Sequence, residues 1–121
     1  MREILFRGKR KDNGEWVEGD LMQHYIHHDD LTIVVSGCVY YEVDGETVSQ
    51  FTGLTDKNGS KIFEGDVFMS HVGLKMTIEW QNDYCLYMMR WLSDNYQSKT
   101  DAKFLNKSEV IGNIHDNPEL L

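Results

Sequence analysis

The clearest alternation of apolar and polar positions runs from Lys75 to Trp80. Met76, Ile78 and Trp80 fall on one side of an extended chain and Lys75, Thr77 and Glu79 on the other, the period of a half-buried strand. Shorter runs of the same kind predict a hairpin of Glu3 to Gly8 with Glu15 to Met22, a β-branched strand over Leu31 to Ser36 between Asp29-Asp30 and Gly37, and a strand over Val39 to Val43. Asp44 to Val48 reads as a single helical turn with Asp44 as its cap. Past the turn Gln81-Asn82-Asp83, the stretch Tyr84 to Trp91 is apolar on both faces. Such a strand is either central or presents its second face to another chain. Ser93 to Lys103 is polar and fits a loop or a short helix, and Val110 to Ile114 is a closing strand ended by Asp116-Asn117-Pro118. The expected fold is therefore all-β with at most short helices, a small bent barrel or two packed sheets, in a single domain over 1–121.

One stretch organises the rest. Thr52 to Phe68 holds an Asn58-Gly59 turn, the apolar pair Ile62-Phe63, and Glu64-Gly65-Asp66 ahead of Val67-Phe68. Lys11 to Met22 repeats this order as Asn13-Gly14, Trp16-Val17, Glu18-Gly19-Asp20 and Leu21-Met22, with one residue fewer between turn and Glu. An Asn-Gly pair suits a turn that needs positive φ, and a glycine inside a strand marks a bulge or bend. The two copies predict two related hairpin corners, with Gly19 and Gly65 at bends no side chain can occupy.

Gln50 to Gly59 together with Ile62 to Val67 resembles the central motif of the YopX family of phage and prophage proteins. Phe6-Arg7-Gly8-Lys9, Trp16 to Leu21, and Val110 to Leu121 are similar to that family's two termini in the same order. The chain departs from the family at Gly45, where proline often follows the aspartate, and at Ser49, where glycine is frequent; both lie in one connection. The resemblance implies a compact, β-rich intracellular phage protein, and it brings no catalytic residues to transfer.

Composition narrows the function. At 121 residues with 40% hydrophobic content, the chain can form a core without disulfides or metal. The net charge of −8 is spread along the chain, and only Arg7, Lys9, Arg10 and Lys11 form a basic run, so direct nucleic-acid binding is disfavoured. Without a secretory segment or a long apolar run, the expected location is the cytoplasm of an infected or lysogenic bacterium, where Cys38 and Cys85 are expected as reduced core residues, a disulfide between them being the alternative if their Cα atoms lie within about 7 Å.

Three constellations resemble chemistry. His24, His27, His28, Asp29 and Asp30 could hold a divalent metal, although Leu21-Met22 leading in and Leu31 to Val35 leading out favour a histidine-rich polar loop. Glu18 with Asp20 and Glu64 with Asp66 would share a strand face, as an acid–base pair requires, yet an aspartate after glycine at a bend more often binds backbone amides. Asp56-Lys57-Asn58-Gly59 evokes a calcium loop but lacks its alternating oxygen ligands and closing glutamate, and reads as a turn. No nucleophile elbow or phosphate-cradling glycine loop is present. The expectation is a non-enzymatic accessory protein with no catalytic, metal or cofactor site. It would work through protein contacts and possible self-association through the second face of Tyr84 to Trp91. A metal-dependent enzyme built on His24 to Asp30 and a nucleic-acid-binding barrel are the alternatives.

Overall fold

In a computed structural model of the chain, residues 3–23, 31–36 and 39–121 are described. Side chains are described for these except 34–36. The protein is nearly all β, 57% strand and 7% helical, arranged as two antiparallel five-stranded sheets. Contacts divide it into two compact units, Met1–Phe51 and Thr52–Leu121.

The first unit contains β1 (Phe6–Arg10), β2 (Trp16–Gln23), β3 (Leu31–Ser36) and most of β4 (Val39–Thr55). Each pairs antiparallel with the next, and β4 also pairs with β1, so this sheet is ring-like in part without being a barrel. Gly8 is what lets β1 approach β4: a Cβ there would sit 3.0 Å from Cβ of Val43, which is itself fully buried. Ile33 is buried as well. The expected helical turn over Asp44 to Val48 is replaced by a bulge. The register jumps from Arg7 opposite Ser49 to Lys9 opposite Asp44, and β4 loops out between them. Asp44 still organises that loop: its Oδ1 accepts from the Glu46 amide at 3.1 Å and its carbonyl accepts from Thr47 Oγ1 at 2.6 Å.

The end of β4 pairs with β5 (Lys61–Phe63), and the chain then enters the second sheet, ordered β10-β6-β7-β8-β9. Its strands are β6 (Asp66–Met69), β7 (Lys75–Gln81), β8 (Leu86–Trp91), β9 (Gln97–Lys99) and β10 (Glu109–Asn113). The core of this unit is Ile62, Phe68, Met76, Ile78, Met89 and Leu105. At about 1.5 to 3 kcal/mol for each fully buried large apolar side chain, this cluster is the main source of the unit's stability. Met76 and Ile78 point into it as the alternation requires, whereas Trp80, nearer the strand end, remains 43% exposed.

β8 is flanked within the sheet by β7 and β9; its Met89 is buried in the core with Tyr87 and Trp91 packed against it, while Leu86 and Met88 are only half-buried. It begins later than expected: Tyr84 and Cys85 belong to the turn, where Cys85 adopts φ 52° and is exposed. Cys38 lies outside the described residues. The open segment Ser93 to Lys103 supplies β9 and leads into α1 (Ala102–Leu105). Asp101 caps that helix by accepting from the Lys103 amide at 2.9 Å, and Phe104 and Leu105 pack on the core.

The two motif copies diverge. Both Asn-Gly turns form, with Gly14 at φ 73° and Gly59 at φ 79°. Gly65 is also left-handed, φ 85°, in a Glu64-Gly65 turn where the chain leaves β5 for β6. Gly19, expected at an equivalent bend, instead pairs opposite Phe6 inside a continuous β2. The extra residue of the second copy is the physical difference: Phe63 ends β5 in a buried position, and the chain turns immediately after it.

Candidate functional site

Two carboxylates of the central stretch, Asp56 and Asp66, are occupied by the backbone. Asp56 is only 5% exposed. Its Oδ1 accepts from the amides of Asn58 and Ser60, both at 2.9 Å, and its Oδ2 accepts from the Val110 amide at 2.9 Å. Beside it the Lys57 amide donates to the Ser108 carbonyl at 2.9 Å. One side chain thus shapes the β4–β5 turn and clasps β10 to it, across 54 residues of sequence. The turn reading of Asp56 to Gly59 holds, but it omitted this second role, because nothing local in the sequence points to Val110.

Asp66, 2% exposed, accepts from the Phe63 amide at 2.8 Å across the Glu64-Gly65 turn, and its carbonyl accepts from Thr77 Oγ1 at 3.0 Å. Gly65 donates its amide to the Ile78 carbonyl at 2.8 Å and accepts from the Ile114 amide at 3.0 Å. Because Glu64 lies in the turn and Asp66 in the strand, the two do not share the face of one extended strand. Glu18 and Asp20 do share one on β2, exposed, with Arg7 opposite Glu18. A third clasp ends the chain. Asn113 Oδ1 accepts from the amides of His115 and Asp116, both at 2.9 Å, while its Nδ2 donates to Asp116 at 3.2 Å.

A general base needs a lone pair aimed at a substrate proton, and a metal needs several converging donors. The lone pairs of Asp56 point at backbone N–H groups of its own unit. Among the described residues no group of three or more His, Cys, Asp or Glu side chains is placed to hold a metal ion. His24, His27, His28, Asp29 and Asp30 lie outside the described residues. A loop role for them gives a direct expectation: replacing His24, His27 and His28 together by Ala should leave stability within about 1 kcal/mol, and added Zn²⁺ should not raise the melting temperature of the unaltered protein. Stoichiometric zinc in freshly purified protein would contradict this.

The basic run of β1 is engaged locally. The guanidinium of Arg7 lies 4.7 Å and the ammonium of Lys9 5.5 Å from the Trp16 ring centre, and Arg10 stacks 4.0 Å from that of Tyr41. Arg10 also bonds the carboxylate of Asp12, which lowers the Asp12 pKa and raises that of Arg10. Near these residues a cleft of about 640 Å³ is lined by Lys11, Leu21, Gln23, Leu31, Asp44, Gly45 and Glu46. Among the described lining residues the polar ones, Lys11, Gln23, Asp44 and Glu46, are exposed.

Large apolar side chains are exposed in both units, Tyr40 in the first and Val72 and Tyr96 in the second among them. At the β7–β8 end Trp80 and Tyr84 are 43% and 66% exposed, and Trp80 packs edge-on to Tyr87 at 5.2 Å while donating its indole N–H to Asn82 at 2.8 Å. Leu86 and Met88 are half-buried on β8, next to the Glu79–Arg90 ion pair of 2.9 Å.

These features define an all-β protein whose central motif binds its own backbone through Asp56 and Asp66. The chain belongs to the YopX protein family, whose model matches residues 5–121. None of the curated proteins compared with it matches. No helix among the described residues is long and apolar enough to cross a membrane.

Proposed function

We propose that this is a phage-type accessory protein without enzymatic activity of its own, acting in the bacterial cytoplasm through contacts with protein, including other copies of itself. The observation that carries the reading is the contrast just described: Asp56 and Asp66 of the family motif bind backbone amides, while Trp80 and Tyr84 present aromatic surface to the outside. Exposed Trp and Tyr side chains offer large contact area at little entropic cost and are favoured at protein interfaces. Direct nucleic-acid binding is not part of the proposal, since the cations of β1 already lie on Trp16, Tyr41 and Asp12.

Light scattering at micromolar concentration tests the self-contact. A multiple of the 14.1 kDa chain mass is expected, falling toward that mass in Met88→Glu and in Tyr84→Asp with the melting temperature nearly unchanged. A monomer at every concentration would remove self-association. Unfolding by Met88→Glu alone would instead make that face of β8 part of the core, and Tyr84→Asp, in an exposed turn, would then decide.

A further inference from the structure

We infer that Asn58-Gly59 is a spontaneous deamidation site, and that its conversion loosens the clasp on β10. The reaction needs only water. The Gly59 backbone nitrogen attacks the Asn58 carboxamide carbon, the new N–C bond closes a succinimide, and the carboxamide nitrogen leaves as ammonia with the proton from the Gly59 amide. Water then opens the ring at either carbonyl, giving aspartate or isoaspartate. Asparagine is chemically labile in proteins, and a following glycine removes the Cβ that would hinder attack.

The chain offers this pair twice, and the structure separates the copies. Both asparagines are exposed and both turns are open, with nothing within 4 Å of where a Cβ on Gly14 or Gly59 would stand. Both glycine amides are hydrogen-bonded within their turns, Gly14 to the Arg10 carbonyl at 2.9 Å and Gly59 to that of Asp56 at 3.1 Å. The carboxamides differ. Asn13 Oδ1 accepts from the Glu15 amide at 3.0 Å, a bond that must break before that side chain can turn freely. The Asn58 side chain has no hydrogen-bond partner among the described residues, so it is free to rotate onto the Gly59 nitrogen.

The site also bears on the clasp. Isoaspartate inserts a methylene into the backbone between the Asn58 and Ser60 amides, the two donors that hold Asp56 Oδ1 and so aim Oδ2 at Val110. Displacing either donor turns the carboxylate away from β10.

The test is incubation of the folded protein in mildly alkaline buffer, with peptide mapping to count ammonia loss and water gain at each asparagine. Asn58 should convert roughly fivefold faster than Asn13, the retardation expected from the one additional hydrogen bond on Asn13. In urea the two should convert at similar rates. The aged protein should show faster hydrogen exchange at the Val110 amide, and aged Asn58→Gln, or Asn58→Ser if the glutamine variant folds poorly, should not. Equal rates in the folded protein, or faster conversion of Asn13, would overturn the site. Unchanged Val110 exchange after Asn58 has converted would overturn the coupling.

Discussion

Replacing Asp56 by Ala should destabilise the protein by about 3 kcal/mol or more, measured by denaturant unfolding. The carboxylate is buried and accepts three backbone N–H bonds, from Asn58, Ser60 and Val110. Hydrogen bonds to a charged group contribute roughly 1.5 to 3 kcal/mol each, and losing the acceptor leaves donors unsatisfied, which costs more than removing both partners of a bond. Asp56→Asn should fall between alanine and the unaltered protein, because its amide retains one acceptor oxygen but cannot accept at the second position. An effect of the alanine variant within experimental error would mean that the turn and β10 hold together without the side chain.

The second large effect is expected at the corner. Gly65→Val should cost about 1 to 3 kcal/mol or more, because a β-branched residue must adopt positive φ there. The glycine has φ 85°, and an added Cβ would meet the Ile114 side chain at 3.4 Å, the residue whose amide bonds the Gly65 carbonyl. Gly65→Ala adds only the first carbon of that side chain and should cost less, so the gap between the two variants measures crowding apart from backbone strain. A valine variant as stable as the original would place residue 65 in ordinary extended backbone.

Much of the fold was legible because it is written in short-range pattern. The alternation from Lys75 to Trp80, the β-branched run Leu31 to Ser36 and the two Asn-Gly turns each specify an element through sterics and burial that act within a few residues. What the pattern left open depends on distant neighbours. Asp44 to Val48 has the local signals of a capped turn, yet the backbone of β1 lies alongside and β4 continues as a bulged strand. Glu18-Gly19-Asp20 and Glu64-Gly65-Asp66 are the same three residue types, but only the second follows a buried residue that ends a strand, so only there does glycine take a left-handed conformation. Gly8 showed no local reason for being glycine; the reason is Val43, which belongs to another strand.

The same limit governs the site. That an aspartate after glycine at a bend would bind backbone amides was legible from its hydrogen-bonding habit, and Asp66 does so. The Asp56 clasp was not legible, since half of it consists of backbone groups at Ser108 and Val110. That Arg7 to Lys11 form a short basic run is legible in the sequence, but the placement of Arg7 against Trp16 and of Arg10 against Tyr41 comes from cross-strand pairing of β1 with β2 and β4.

The claim that the family motif is a structural clasp rather than reaction machinery is tested most directly at one amide. Native-state hydrogen exchange of the Val110 N–H should accelerate in Asp56→Ala by roughly 10- to 100-fold beyond any acceleration shared by the Ile78 and Met89 amides of the central strands, as expected for loss of a charge-assisted hydrogen bond. Val110 exchange rising only in step with Ile78 and Met89 would contradict the account, because Asp56 would then hold nothing at β10.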